Sequence, residues 1–436
     1  MTFFFTLVFM FLVYWRPQDW LVPQLYGVPI LDAVTFIALL ALLLEMGQGR
    51  IDFPKRMPQV FLLGGLWFAA MFSHVPHTYF AGIMATLPEV FKICFFSLLM
   101  LCVLDRPARL RSVARLLVAM SLFMAVHAIL QADRGYGFGP VRPYYVPAYA
   151  DNPEQYRTLF YGIFEDSNDM AQTLATSIPL SFVVLRRGKW LSLLVGGVCT
   201  AVLFLGIQTT YSDGGMIALF AVGGVMLVMA LPARWVPTML TIGILGGLAL
   251  CPFSGAILDE SAHDRVVFWG YANEAFKHNL FFGVGHAMFW QVADSRAAHN
   301  AFVECYTEIG LFGYWFWFSL LLLSIAGCWR VRRLLAKDHK DPERAWLFKF
   351  SGMALAAMIG MSASSYFLSR AFHFPTFFLF SLLGALPRVT QAYLPEGAEP
   401  IVRWDSRTVI LLTVGAVGSV VYIYISILLL NRVWGG

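Results

Sequence analysis

The strongest constraint in this sequence is a recurrence. Apolar stretches long enough to cross a hydrocarbon core of about 30 Å return along its whole length. They fall near residues 1–15, 28–46, 57–73, 80–104, 108–131, 165–185, 190–208, 214–231, 235–251, 300–328, 345–368, 371–390 and 408–430. In lipid every backbone polar group must be satisfied within the chain, so such segments fold as helices. Composition agrees: 59% of the 436 residues are hydrophobic and 13% are charged, which excludes an ordinary soluble enzyme. The expected fold is all-α, a polytopic membrane bundle of 12 or 13 transmembrane helices forming one membrane domain over residues 1–436. The first run, "MTFFFTLVFMFLVYW", lacks a basic n-region and a small-residue cleavage site, so it reads as a membrane helix rather than a removable leader. The six cysteines lie within or at the ends of apolar segments and show no CxxC spacing, which implies neither a disulfide framework nor a zinc site.

Lys and Arg in the connecting loops set the orientation. With a cytoplasmic N-terminus and alternating loops, 21 cations fall inside and 9 outside, and Lys92 is left within a membrane segment. Two long loops, 132–164 and 252–299, both land outside. The first is rich in Tyr, Pro and Gly, and its Tyr136, Tyr144, Tyr145, Tyr149 and Tyr156 suit either closure over a ligand or packing at the interface. No internal repeat is detectable. Glu89 and Lys92 stand at i,i+3 spacing inside a segment and read as a paired bridge.

The second loop carries "SAHDRVVFWGYANEAFKHN" (261–279), in which Ser261 and Asp264 suggest a helix start. Phe268, Tyr271, Ala272, Ala275 and Phe276 make an apolar stripe, with Gly270, Asn273, Glu274, Lys277 and His278 opposite, so the helix is expected to lie at the outer interface. Arg265 falls in its expected first turn, where the helix dipole disfavours a cation. An anion such as phosphate would resolve that conflict; snorkelling to lipid headgroups is the other reading. Gly283 and Gly285 in "FFGVGHAMFW" fit a plain turn or a close approach to a ligand.

"DSRAAHNAFVECYTEIGLFG" (294–313) runs from a polar loop into an apolar helix. If Asn300 caps that helix, residues 300–328 reach about 43 Å, more than the bilayer needs, and the helix mouth stands clear of the core. Asn300, Glu304 and Glu308 share one face. His299 sits at the positive end, where the dipole favours neutral imidazole, the form a general base requires. A histidine that merely hydrogen-bonds its loop is the competing reading. Elsewhere Asp166, Ser167 or Asn168 could cap the helix after "FEDSNDMA", "TTYSDGG" (209–215) reads as a turn, and Arg370 and His373 lie in a short outer loop.

The order of Arg265, an aromatic helix, "HNLFFGVG", "HNAFVECYTEIGLFG" and a membrane helix resembles the signature region of the O-antigen ligase and O-antigen polymerase superfamily. "FEDSNDMA" is similar to that family's Asp-x-Asn segment. The resemblance implies a GT-C-like membrane glycosyltransferase of the bacterial inner membrane with a periplasmic site. Its donor would be a glycan on undecaprenyl diphosphate and its acceptor, in a ligase, a hydroxyl of lipid A–core. It further implies an inverting, metal-independent reaction without cofactor or nucleic-acid partner. His299 matches the family histidine that activates the acceptor, and Arg265 an arginine that engages the diphosphate. Asn168, Asn300, Tyr211, Arg142, Arg157 and Arg370 are the further expected substrate contacts. The family often has Arg where this chain has Asp213, which removes one expected cation or shifts its duty to Arg142, Arg157 or Arg370. The compact second loop favours a ligase over a polymerase or a protein O-oligosaccharyltransferase. A lipid-linked sugar transporter fits less well, because the ionisable residues concentrate at the outer surface.

Overall fold

The computed structural model describes residues 1–436 except Tyr26, 149–152, 187, 232–234, 236, 237, 240, 244, 246–259, 294, 295, 337–340, 435 and 436. The chain is mostly helical. Its principal helices are α1 (Thr2–Trp15), α2 (Ile30–Gly47), α3 (Pro58–Phe72), α4 (Phe80–Val103), α5 (Pro107–Arg134), α6 (Ser167–Ser181), α7 (Lys189–Gln208) and α8 (Asp213–Ala230), followed by α9 (Glu260–His278), α10 (Ala301–Leu335), α11 (Pro342–Ser365), α12 (Phe374–Gln391) and α13 (Ser406–Trp434). Among the described residues nine helices are long and apolar enough to cross a membrane, with α1 a shorter apolar helix beside them. The expected segment 235–251 falls largely outside the described residues.

Local chemistry explains where these helices begin. Proline opens α3, α5 and α11, where its missing N–H costs nothing. Side-chain oxygens of Asp166, Ser212, Asn300 and Asp341 accept first-turn N–H groups of α6, α8, α10 and α11. At the centre, α6 is buried at every position but Asn168, and it packs on α5, α7, α8 and α11. Its polar composition keeps it out of the apolar set, yet its side chains find partners inside. Ser177 bonds Ser121 at 2.7 Å, and Gln172 donates to Ser365 Oγ at 3.1 Å.

The loops sort to two ends of the bundle. At one end the 135–166 loop, the 209–212 turn, the 279–300 segment and the 366–373 turn bond one another. The other end gathers the basic loops: Arg111 and Arg186 share Glu343, and Arg388 donates to the Leu101 carbonyl. These two ends match the expected partition into outer and inner loops.

Within the first long loop Tyr144–Val146 (β1) and Gln155–Arg157 (β2) form an antiparallel hairpin with Tyr145 opposite Tyr156. Four expectations are corrected. Lys92 pairs not with Glu89 but with Asp32 of α2, at 2.5 Å, because Glu89 turns outward on α4. Helix α9 already contains Glu260 and Ser261, so Ser261 is not its cap and Arg265 lies beyond the first turn. The helix buries Val266, Trp269, Ala272 and Phe276 against α10 and α13, leaving Tyr271 exposed. Asn273, expected on the polar face, is also buried: it accepts from Tyr306 Oη at 2.8 Å and donates to the Tyr424 carbonyl at 3.0 Å.

The fourth concerns α10, which is not one overlong rod. Gly310 has φ 63° and ψ −173°, a conformation open essentially to glycine, and it breaks the helix after nine residues. Residues 280–285 fill the break. Val284 and Gly285 N–H groups donate to Thr307 and Glu308 carbonyls at 2.9 Å, while Leu311 and Phe312 N–H groups donate to Leu280 and Phe281 carbonyls at 2.9 and 3.0 Å. A Cβ on Gly283 would strike the Glu308 carbonyl, and one on Gly310 the Phe281 carbonyl. Of the glycine pair in the sequence, Gly283 therefore serves close backbone approach to a helix of the same chain, while Gly285 packs against the His74 side chain.

Candidate active site at the loop end

His299 is the residue just before the Asn300 cap. Asn300 Oδ1 accepts from the Phe302 and Val303 N–H groups at 3.0 and 3.2 Å, which fixes the start of α10. His299 itself has φ +47°, a left-handed conformation that costs a non-glycine residue about 1 kcal/mol. The strain persists because the neighbours over-determine it: the His299 N–H donates to Ser369 Oγ at 2.6 Å, and the Ala298 carbonyl accepts from Trp269 Nε1 at 2.6 Å. Tyr211 repeats the device with φ +49° ahead of the Ser212 cap. In both, a left-handed residue directly precedes the residue that caps a helix.

The half-buried imidazole is held neutral. Burial lowers its pKa from the ordinary 6.5, the Arg265 and Arg370 cations lower it further, and Asp166 opposes them. The sequence attributed neutrality to the helix dipole; desolvation and two arginines are the causes here. Residues 166, 265, 299 and 370, far apart in the chain, thus share one electrostatic environment.

Arg370 is positioned from below. Its Nε and a terminal nitrogen meet Asp169 Oδ2 at 2.6 and 2.5 Å, and Asp169 is fully buried. Glu304 accepts the Ala371 N–H at 3.1 Å, so the first turns of α6 and α10 both grip the 369–371 turn. Glu308 accepts from the Ala287 and Phe289 N–H groups at 2.9 and 3.1 Å and braces the loop that leads to His299. Both glutamates therefore tie loops to α10. Asp169 and Ser369 were not singled out in the sequence; a carboxylate in the first turn of a wholly buried helix was the available signal for Asp169.

Asp166 Oδ1 accepts from the Asn168 backbone N–H at 2.8 Å and from its Nδ2 at 3.0 Å, while Asn168 Oδ1 accepts from Ser212 Oγ at 2.6 Å. This relay joins the His299 surroundings to a cavity of about 610 Å³ beneath the hairpin, lined by Arg157, Tyr211, Ser212 and Asp213 among others. Two predicted contacts stand apart. Arg142 is exposed and spends its guanidinium on its own loop, at the Gly135 carbonyl (3.2 Å) and over the Tyr136 ring (5.4 Å). Asn300 is fully buried behind His299, so capping is its role in this geometry. His373, in the same turn as Arg370, is buried and pushed down to about 3 by desolvation and by Arg370.

Among the described residues no three His, Cys, Asp or Glu side chains gather as a metal site would require. Fold and site together define a polytopic helical protein with a half-buried histidine in the shared field of two arginines and an aspartate at its loop end. No model of a known protein family matches this chain, and no curated protein does either.

Proposed function

We propose that this protein is a membrane glycosyltransferase that moves a glycan from a polyprenyl diphosphate, specifically undecaprenyl diphosphate, to a hydroxyl of lipid A–core. The observation that carries the reading is the convergence of Arg265 and Arg370 on a neutral, half-buried His299 at the loop end. His299 takes the acceptor proton as that oxygen attacks the anomeric carbon from the face opposite the leaving group. The bond from that carbon to the diphosphate oxygen breaks, and the electron pair leaves with the diphosphate. Negative charge thus gathers on phosphate oxygens, which arginines in a water-poor cleft stabilise more than water does. The cleft faces the periplasm, on the charge bias of the loops.

Arg370 serves this reading from the Asp169 carboxylate, which fixes its guanidinium and neutralises part of its charge. Resemblance of the segments around Arg265 and His299 to the O-antigen ligase and polymerase motifs supports the same assignment. The test is transfer in vitro from lipid-linked glycan to purified lipid A–core. His299→Ala and Arg265→Ala each abolish transfer without reducing folded protein; wild-type turnover in both would overturn the assignment. Replacing lipid A–core with a second donor molecule or an acceptor protein separates ligase from polymerase and protein glycosyltransferase.

A further inference from the structure

The cavity beneath the hairpin takes no part in the steps above. We propose that it is a carbohydrate subsite, holding a short saccharide portion of the transferred glycan or of its acceptor beside the His299 centre. The inference deepens the glycosyl-transfer reading and rests on it.

Three observations carry it. The volume, about 610 Å³, lies within the range of about 300–1,000 Å³ usual for small-molecule sites. The lining mixes planar polar groups, Gln155, Arg157, Gln208 and Asp213, with the Tyr211 ring and the apolar faces of Pro147, Pro153 and Met216. That pairing suits a sugar, whose hydroxyls need donors and acceptors while its C–H faces need an aromatic or apolar floor. It does not suit a diphosphate, because the one cation in the lining, Arg157, is matched by Asp213. It does not suit a lipid chain either, which would leave the polar groups without partners.

The third observation is connectivity. Ser212 lines the cavity and donates to Asn168, which holds Asp166, the carboxylate that acts on His299. A ligand resting on Ser212 and Tyr211 is therefore registered to the centre through rigid helix starts.

The experiment uses the full chain in lipid nanodiscs with glucose, galactose, N-acetylglucosamine and N-acetylgalactosamine as probes, read by saturation-transfer NMR. At least one sugar receives saturation. Tyr211→Ala weakens that signal about fivefold, as loss of one aromatic contact predicts. Met216→Trp, which fills the cavity from α8, weakens it equally and covers the case in which Tyr211→Ala fails to fold. His299→Ala leaves sugar binding unchanged, so the subsite is tested without turnover and stands or falls apart from the transfer reaction. Absence of saturation transfer to every sugar, or signals unaffected by both cavity variants, would overturn the proposal. Displacement of the sugar by inorganic pyrophosphate at equal concentration would also overturn it, by giving the cavity to the diphosphate.

Discussion

The two ends of the bundle use the same residue type for opposite purposes. At the basic end arginines close helices. Arg109 donates to the Val103 carbonyl, Arg115 to Val184, Arg332 to Met229, Arg388 to Leu101 and Arg344 to Tyr393, each a carbonyl in or just past the last turn of a helix. Those carbonyls lack intrahelical partners and sit at the negative end of the dipole, so a guanidinium there is doubly satisfied. At the loop end Arg370 instead rests on the buried Asp169 carboxylate, and Arg265 and Arg370 both act on the strained His299. Cations gathered around a histidine are what a site for a polyanionic substrate requires, whereas cations set on helix-end carbonyls are structural.

That contrast is tested most severely by His299→Ala, for which transfer is expected to fall by about 10²–10⁴-fold while the melting temperature stays near wild type. An equal loss of transfer from Arg388→Ala, per folded molecule, would erase the distinction between the ends. Gly310→Ala comes next. It forces a Cβ into the Phe281 carbonyl at a φ of 63° and is expected to cost about 3 kcal/mol, read by denaturant or thermal unfolding in detergent.

Asp169→Asn leaves Arg370 without its buried counter-charge. Because Arg370 is partly exposed and water can take over, the expected loss is about 2 kcal/mol, smaller than for a fully buried pair. The same variant raises the KM for donor or lowers kcat only if Arg370 acts on the diphosphate; a fold-only role would move the melting curve alone.

A pH profile sharpens the comparison further. His299 titrates below 6.5, so it stays unprotonated and active as pH falls past that value, and the acid limb of transfer lies lower. Arg265→Gln removes a cation that opposes the imidazolium, which moves the residual activity's acid limb up toward 6.5; Asp166→Asn moves it down. The smallest effect belongs to the basic end: Arg186→Ala breaks a solvent-facing contact to Glu343 and is expected to cost about 0–1 kcal/mol, with transfer unchanged.

Much of the architecture was legible in the sequence because bilayer thickness and backbone satisfaction leave few choices. Hydropathy located the helices and loop cations sorted the ends. The Asn300 cap followed from residue type alone, as did the alternatives at Asp166 and Asn168. What stayed hidden were contacts between segments distant in sequence. Nothing near Lys92 pointed to Asp32, and nothing near Gly310 revealed that residues 280–285 would complete its helix. Periodicity also misplaced Asn273, because a buried tyrosine and an open carbonyl on other helices make that amide welcome inside. The ion pair beneath Arg370 was missed for the same reason: Asp169 and Arg370 are joined only by the fold.

The interruption at Gly310 also bears on how the chain enters a bilayer. As one unbroken rod, residues 301–335 would either carry Glu304 and Glu308 into hydrocarbon or push the arginine-bearing tail far into water. Divided, the stretch from Leu311 to Trp329, just before Arg330, measures about 28 Å, close to the thickness of the core. The insertion machinery therefore meets a span of ordinary length followed by arginines, while the polar half-helix with its two glutamates lies outside that span, docked on the segment that precedes it.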